Sequence, residues 1–410
     1  MIKALKIVLL MSISTINPII TTEKNSLFNL STMFRDNNDN KITEQDKQIL
    51  LEEFERNTNI KVNKKYFGRG GTGEIYKGTY RTSRNEDVSL ALKCIFYKTN
   101  QPEKLKVFVN NFKTERKILE NLHHQNIIKK IAIGIISKPT LSVHMYYFAL
   151  EMAENRDLNF LIQGIKKKVN IFVGYFTFNS LSENFCRFLF NQVVQGFFSL
   201  YINNVIHFDI KPENLLLMRN YIVKISDFSI SQIKSSQKSE QFITIPIGTH
   251  SYMPPESFTK EKKINKDKAY ASDIYSLGVT LYSFLFIERF LPSDNNDCIN
   301  NIKEKVQKIN NSDISSECKD LLYKMLQIDY NKRIDPFSLL DHDWLFINRK
   351  QINAIPHKNS QEQHKFCIEL EKSDIIFSLS NKKENTDKKY ISHHNKFFFN
   401  YSRKRKKKCE

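Results

Sequence analysis

Hydrophobic positions along the chain fall into two textures. From about Ile60 the apolar runs are short and of strand character: Glu74 to Tyr80, "VSLALKCIFY" and "MYYFALE" each read as a strand. One helical stretch interrupts them, "VNNFKTERKILENLHHQNIIKKI", where Leu119 and Leu122 form the apolar face behind Glu115. Further on the recurrence lengthens to 3.6 residues in "LSENFCRFLFNQVVQGFFSLYINN", and "SDIYSLGVTLYSFLF" reads as a largely apolar helix. Between these helices, Val205 to Ser231 carries two short apolar runs, Leu215–Leu217 and Tyr221–Ile225, interleaved with charged and amide residues. That pattern predicts a strand–loop–strand holding polar groups over one point. Ahead of Ile60, "EQDKQILLEEFERN" is helix-like, and beyond Asn348 the chain is polar and rich in Lys and Asn.

Composition narrows the class only a little. A chain of 410 residues with 40% hydrophobic content accommodates one bilobal domain or two ordinary ones, with tails. The six cysteines lack C-x-x-C spacing, so neither a zinc site nor a disulfide framework is expected, and a reducing, cytoplasmic setting fits. A net charge of +19 favours anionic partners. The start, "MIKALKIVLLMSISTI", is like a secretory signal, but Ser12, Ser14 and Thr15 dilute it and no A-x-A site follows. No stretch approaches 18 uninterrupted apolar residues, so no membrane-spanning helix is expected. In "DNNDNKITEQDK", Asp36, Asn38 and Asn40 fit a calcium loop, yet Lys41 stands where a Gly is needed and Lys47 where a Glu should close the site. A solvated loop is the better reading.

The chemistry concentrates in "VIHFDIKPENLLLMRNYIVKISDFSIS". Any one Asp or Asn there could be a turn former. Together, Asp209 could take a proton from a hydroxyl, Lys211 could neutralise a transferring group, and Asn214 with Asp227 supplies the oxygen ligands Mg²⁺ prefers. The stretch resembles the catalytic loop and metal-binding turn of protein kinases, H-R-D-L-K-P-E-N followed by D-F-G. The resemblance, over about Tyr66 to Leu345, implies an α+β, bilobal fold: a small antiparallel β-rich lobe with one helix central to the site, and a larger, mainly helical lobe. It places an extension at 1–59, the small lobe at 60–153, the large lobe at 154–348 and a basic tail at 349–410.

Other motifs extend it. "YFGRGGTGEIYKG" sets Gly68, Gly70 and Gly73 in G-x-G-x-x-G; because a strand follows rather than a helix, the glycines read as a hairpin tip over phosphates. By resemblance, Lys93 holds the α- and β-phosphates of ATP and pairs with Glu115. Ile75, Ala91 and Leu216 sandwich adenine, the backbone of Glu151 and Ala153 hydrogen-bonds it behind Leu150, and Asp157 approaches the ribose. Asn214 and Asp227 hold Mg²⁺, Thr249 seats the acceptor hydroxyl beside Asp209 and Lys211, Asp273 holds the catalytic loop from beneath, and Glu256 pairs with Arg333. The pattern implies Ser/Thr specificity, with a protein substrate. Residues 164–180 are longer than the family needs.

Two positions depart from the pattern: Phe208 replaces the Arg before the catalytic Asp, and Ser229 replaces the Gly of D-F-G. The first implies activity that does not depend on activation-loop phosphorylation; the second narrows backbone freedom at the metal turn. The alternative is a pseudokinase or scaffold that keeps the fold and nucleotide binding. The terminal run Arg403–Lys408 is a candidate nuclear import signal or a patch for nucleic acid or anionic surfaces, and a monomer is expected.

Overall fold

The computed structural model describes residues 42–345, apart from 71–72, 99–101, 168–170, 174–175, 179–180, 220, 235–240, 260 and 291–297. The signal-like start, Asp36, Asn38, Asn40 and Lys41 of the calcium-like run and the basic tail lie outside the described residues, whereas Lys47 lies in the first helix described.

Helix α1 (Glu44–Thr58) begins at a capping box: the Asp46 N–H donates to Thr43 Oγ1 at 3.0 Å and the Thr43 N–H to Asp46 Oδ2 at 3.0 Å. It ends at Asn59, in the left-handed region at φ 58°. Next come β1 (Lys61–Val62), β2 (Gly68–Gly70), β3 (Gly73–Arg81), β4 (Asp87–Lys98), α2 (Pro102–Asn121), β5 (Lys130–Lys138) and β6 (Val143–Glu151). The strands form one antiparallel sheet in the order β1-β3-β4-β6-β5, with β2 also paired to β3.

Side-chain alternation gives this sheet two covered faces. On one, Phe108 and Phe112 of α2 meet Tyr146 and Phe148, with ring centroids 4.7 to 5.0 Å apart. On the other, Leu50, Leu51 and Phe54 of α1 are buried against Tyr76, Leu92, Met145 and Tyr147. Burying three such side chains contributes roughly 1.5–3 kcal/mol each.

The large lobe starts with α3 (Leu158–Lys166) and a short hairpin of β7 (Ile171–Val173) and β8 (Phe176–Phe178), which occupies the long connection. Helices α4 (Glu183–Ile202) and α5 (Tyr270–Phe286) are buried on nearly every side, as their apolar content requires. Between them lie β9 (Val205–Ile206), β10 (Leu215–Leu217), β11 (Val223–Ile225), β12 (Gln232–Ile233), β13 (Phe242–Thr244) and β14 (Lys263–Asn265). Helices α6 (Cys298–Asn310), α7 (Ser316–Met325) and α8 (Pro336–Leu340) complete it. The segment after α2 docks on β11: the Ile128 N–H donates to Ile225 O and the Ile225 N–H to Asn126 O, both at 2.9 Å. Gly196 of α4 permits that approach, since a Cβ there would lie 2.8 Å from Asn126 O. Among the described residues no helix is long and apolar enough to cross a membrane.

Candidate active site

The glycines of the small lobe do form a hairpin tip: Gly68 lies opposite Ile75 and Gly70 opposite Gly73. A Cβ on Gly73 would stand 2.5 Å from Cys94 O, so the turn is pressed against β4 and only glycine fits. Two residues further, Ile75 is cross-strand partner to Lys93. Ala91 pairs with Leu150 across β4 and β6. Ile75, Ala91 and Leu216 are all half-buried, and a bridge joins Leu216 to Asp157. The Glu151 side chain accepts the Lys129 N–H and pairs with Lys224 at 2.9 Å; the Ala153 carbonyl accepts from the Arg156 N–H at 3.3 Å, closing the turn between the lobes. Asp157 caps α3, its Oδ1 accepting the Phe160 N–H at 2.8 Å, so one of its oxygens is already committed.

Lys93 is buried, and its ammonium donates to Glu115 Oε1 at 3.1 Å and Asp227 Oδ1 at 2.8 Å. Burial pulls the Lys93 pKa down, but Asp227 and Glu115 together override it and the net shift is upward. Burial pushes Asp227 up, but Lys93 overrides it and, with a smaller effect of the Ser229 hydroxyl, holds the carboxyl well below the usual range. Glu115 is pushed up by burial, with Lys93 opposing the shift. Asp227 itself has φ 62°, while Ser229 is outside the left-handed region, so the expected cost of a side chain at 229 does not arise in this conformation.

Below the cleft, Asp209 gathers the remaining polar groups. Lys211 Nζ donates to Asp209 Oδ2 at 2.6 Å and reaches Thr249 Oγ1, and the Thr249 N–H donates to Asp209 Oδ1 at 3.0 Å. Asn214 Nδ2 donates to Asp209 O at 2.8 Å and Oδ2 at 3.0 Å, which leaves Oδ1 as the amide atom for a cation. Gly248 gives Thr249 this close approach, since a Cβ there would meet Phe208 O at 2.8 Å.

The loop is held from beneath as expected. Asp273 accepts the His207 N–H at 2.8 Å and the Phe208 N–H at 2.7 Å, while burial pushes its carboxyl up to about 7. His207, fully buried, stands 3.0 Å from Ser226 O through Nε2 and packs on the Phe228 ring. Glu256 and Arg333 form a two-pronged pair at 2.6 Å on each side.

Phe208 turns away from the cleft, at φ 63°, into an apolar cluster with Ile206, Ile245, Ile264 and Ala269. Those isoleucines bring β13 and β14 together, so the segment before Thr249 is fastened by packing. The alternation in "FITIPI" was a readable signal for this.

A sheet-roofed cleft with a lysine–carboxylate network above and an Asp–Lys–Asn cluster below is the arrangement of charge and oxygen donors that phosphoryl transfer calls for. Residues 61–345 match the protein kinase domain family, and the chain belongs to that family. Its small antiparallel lobe and helical large lobe are the bilobal kinase fold. It is 29% identical over 292 residues to serine/threonine-protein kinase atg1 of Dictyostelium discoideum, covering 69% of this chain and 39% of that protein. Over 258 residues it is 28% identical to serine/threonine-protein kinase cds1 of Schizosaccharomyces pombe, covering 62% and 51%. Against CBL-interacting protein kinase 26 of rice the identity is 29% over 336 residues, covering 78% and 60%. The chain thus spans less than two thirds of each of these relatives.

Proposed function

We propose that the chain is a Ser/Thr protein kinase, transferring the γ-phosphoryl group of ATP to a protein hydroxyl with Mg²⁺. The observation that carries this is the double engagement of Lys93 with Glu115 and Asp227, which assembles the small-lobe helix, the lysine and the metal turn around one point. Asp209 stands ready to orient and deprotonate the acceptor, and Lys211, bonded to both Asp209 and Thr249, supplies positive charge where the phosphoryl passes. The relatives' names support Ser/Thr specificity.

The residues fit Mg²⁺. Asp227 is held ionised, and the Asn214 amide directs its nitrogen to Asp209, leaving oxygen for the metal. When bound, the metal would neutralise charge on the β- and γ-phosphates.

The chain's own control follows from Phe208. With an apolar cluster fastening the segment before Thr249, a phosphate there lacks the arginine partner through which it would order the loop. The pseudokinase alternative drew on Phe208 and Ser229, yet neither replaces a group that would touch metal or phosphate.

Phosphate incorporation from labelled ATP into a generic Ser/Thr substrate tests the activity. Asp209→Asn is expected to lower it by roughly 10²–10⁴-fold; equal incorporation by the two proteins would refute the reading. Joint alanine substitution of Ser235, Ser236, Ser239 and Thr244 should leave activity within a few-fold. Near-total loss would show that loop phosphorylation is required.

A further inference from the structure

The matched family region begins at residue 61, and α1, ending at Thr58, lies wholly ahead of it. This helix nevertheless reaches the glycine turn. Lys47 Nζ donates to Glu74 Oε1 at 2.7 Å and to Glu44 Oε1 at 2.7 Å, and stands 5.7 Å from the centre of the Phe96 ring. Glu74, itself buried, accepts the Tyr76 hydroxyl on its other oxygen at 2.7 Å. Without Lys47, Glu74 would be a buried carboxylate with one neutral partner, a costly arrangement.

Position makes this link more than a surface ion pair. Glu74 sits between Gly73, which presses on Cys94 O, and Ile75, which points to the other face of the sheet opposite Lys93. Because strand side chains alternate, Glu74 and Ile75 are two ends of one lever through the sheet. The far end of α1 is fixed. Phe54 meets the Tyr147 ring at 4.8 Å, Glu53 pairs with Lys138 at 3.1 Å, and Glu55 accepts the Val62 N–H at 2.6 Å.

We infer that α1 is a brace for nucleotide binding, with Lys47 the positioning residue that holds the glycine turn through Glu74. Lys47 touches no nucleotide atom; it fixes the strand whose next residue roofs the cleft. The brace lowers the ordering cost of the turn when phosphates bind, so its loss falls on nucleotide affinity and not on the transfer step.

The inference rests on the kinase reading, and its test separates the two. MgADP affinity of the full chain is measured by calorimetry for wild type, Lys47→Met, Glu74→Gln and the reversed pair Lys47→Glu with Glu74→Lys, alongside KM for ATP and kcat. Lys47→Met keeps the packing on Phe96 and is expected to weaken MgADP and raise KM for ATP by about 5-fold, with kcat within about twofold. The reversed pair should recover most of that loss, which a merely structural role would not produce. MgADP affinity unchanged in Lys47→Met, whatever the melting temperature does, overturns the brace; so does a reversed pair no better than its single variants, or a wild type without measurable MgADP affinity. Absence of phosphate transfer by a wild type that binds MgADP overturns the proposed function instead, and the brace is then judged on affinity alone.

Discussion

Two buried ion pairs, one in the cleft and one in the large lobe, are built on opposite principles. Arg333 has a side chain with no exposed surface, and its guanidinium is fully matched: two bonds to Glu256, others to the carbonyls of Gln327, Ala271 and Ile328, and a face against the Tyr275 ring at 4.9 Å. Such a fork admits one geometry. Lys93 instead shares a compact ammonium between two carboxylates, and Asp227 keeps a quarter of its side chain exposed. Its donors can swing to a new anion without breaking a fixed fork. The difference separates a pair locked into one geometry from one whose geometry permits other partners.

The sharpest way to break this comparison is Lys93→Met. Phosphate transfer should fall by roughly 10²–10⁴-fold, while the melting temperature moves by less than about 5 °C, because Glu115, already pushed up by burial, can take a proton in place of its partner. Unfolding of the variant would erase the distinction. Arg333→Met should do the reverse, costing about 3–5 kcal/mol through the stranded Glu256 carboxylate, read as a lower urea midpoint at constant slope. The folded fraction in the cold should transfer phosphate within a few-fold of wild type. Arg333→Lys should rescue little, since one ammonium cannot reproduce the fork.

Much of the locked architecture was legible in the sequence, because it rests on periodicity and on charge among apolar residues. Lys93 within "LALKCIFY" demanded an anion, and the kinase resemblance named Glu115 as the one, the pair that the structure contains. Asp273 and the Glu256–Arg333 pair were likewise readable from their place in the pattern. What was not legible depends on tertiary partners. The apolar stripe of α1 announced a helix, but nothing in it named the back of the sheet as its seat. Asp157 was read toward the ribose, whereas its place ahead of "LNFLI" makes it a helix cap first. Phe208 was read as a missing arginine, and the isoleucines that receive it are scattered over three strands and a loop.

The smallest expected effect probes how far the exchangeable pair has itself been tuned toward rigidity. The Ser229 hydroxyl, two residues from Asp227, helps lower the Asp227 pKa after the larger effect of Lys93, favouring the ionised form that a metal needs. Ser229→Ala removes that hydroxyl and leaves the backbone as it is; Ser229→Gly removes it and also frees the turn. The influence of one neutral hydroxyl on a partly exposed carboxylate is modest, so the Mg²⁺ concentration for half-maximal transfer should rise by about 2–5-fold in both variants. With saturating Mg²⁺ the rate should return to within about twofold of wild type. If alanine behaves as wild type and only glycine differs, the hydroxyl is idle and backbone freedom governs the turn. If both shift together, Asp227 is already partly fixed before any metal arrives, and the cleft pair stands one step nearer to the Glu256–Arg333 fork than its exposure suggests.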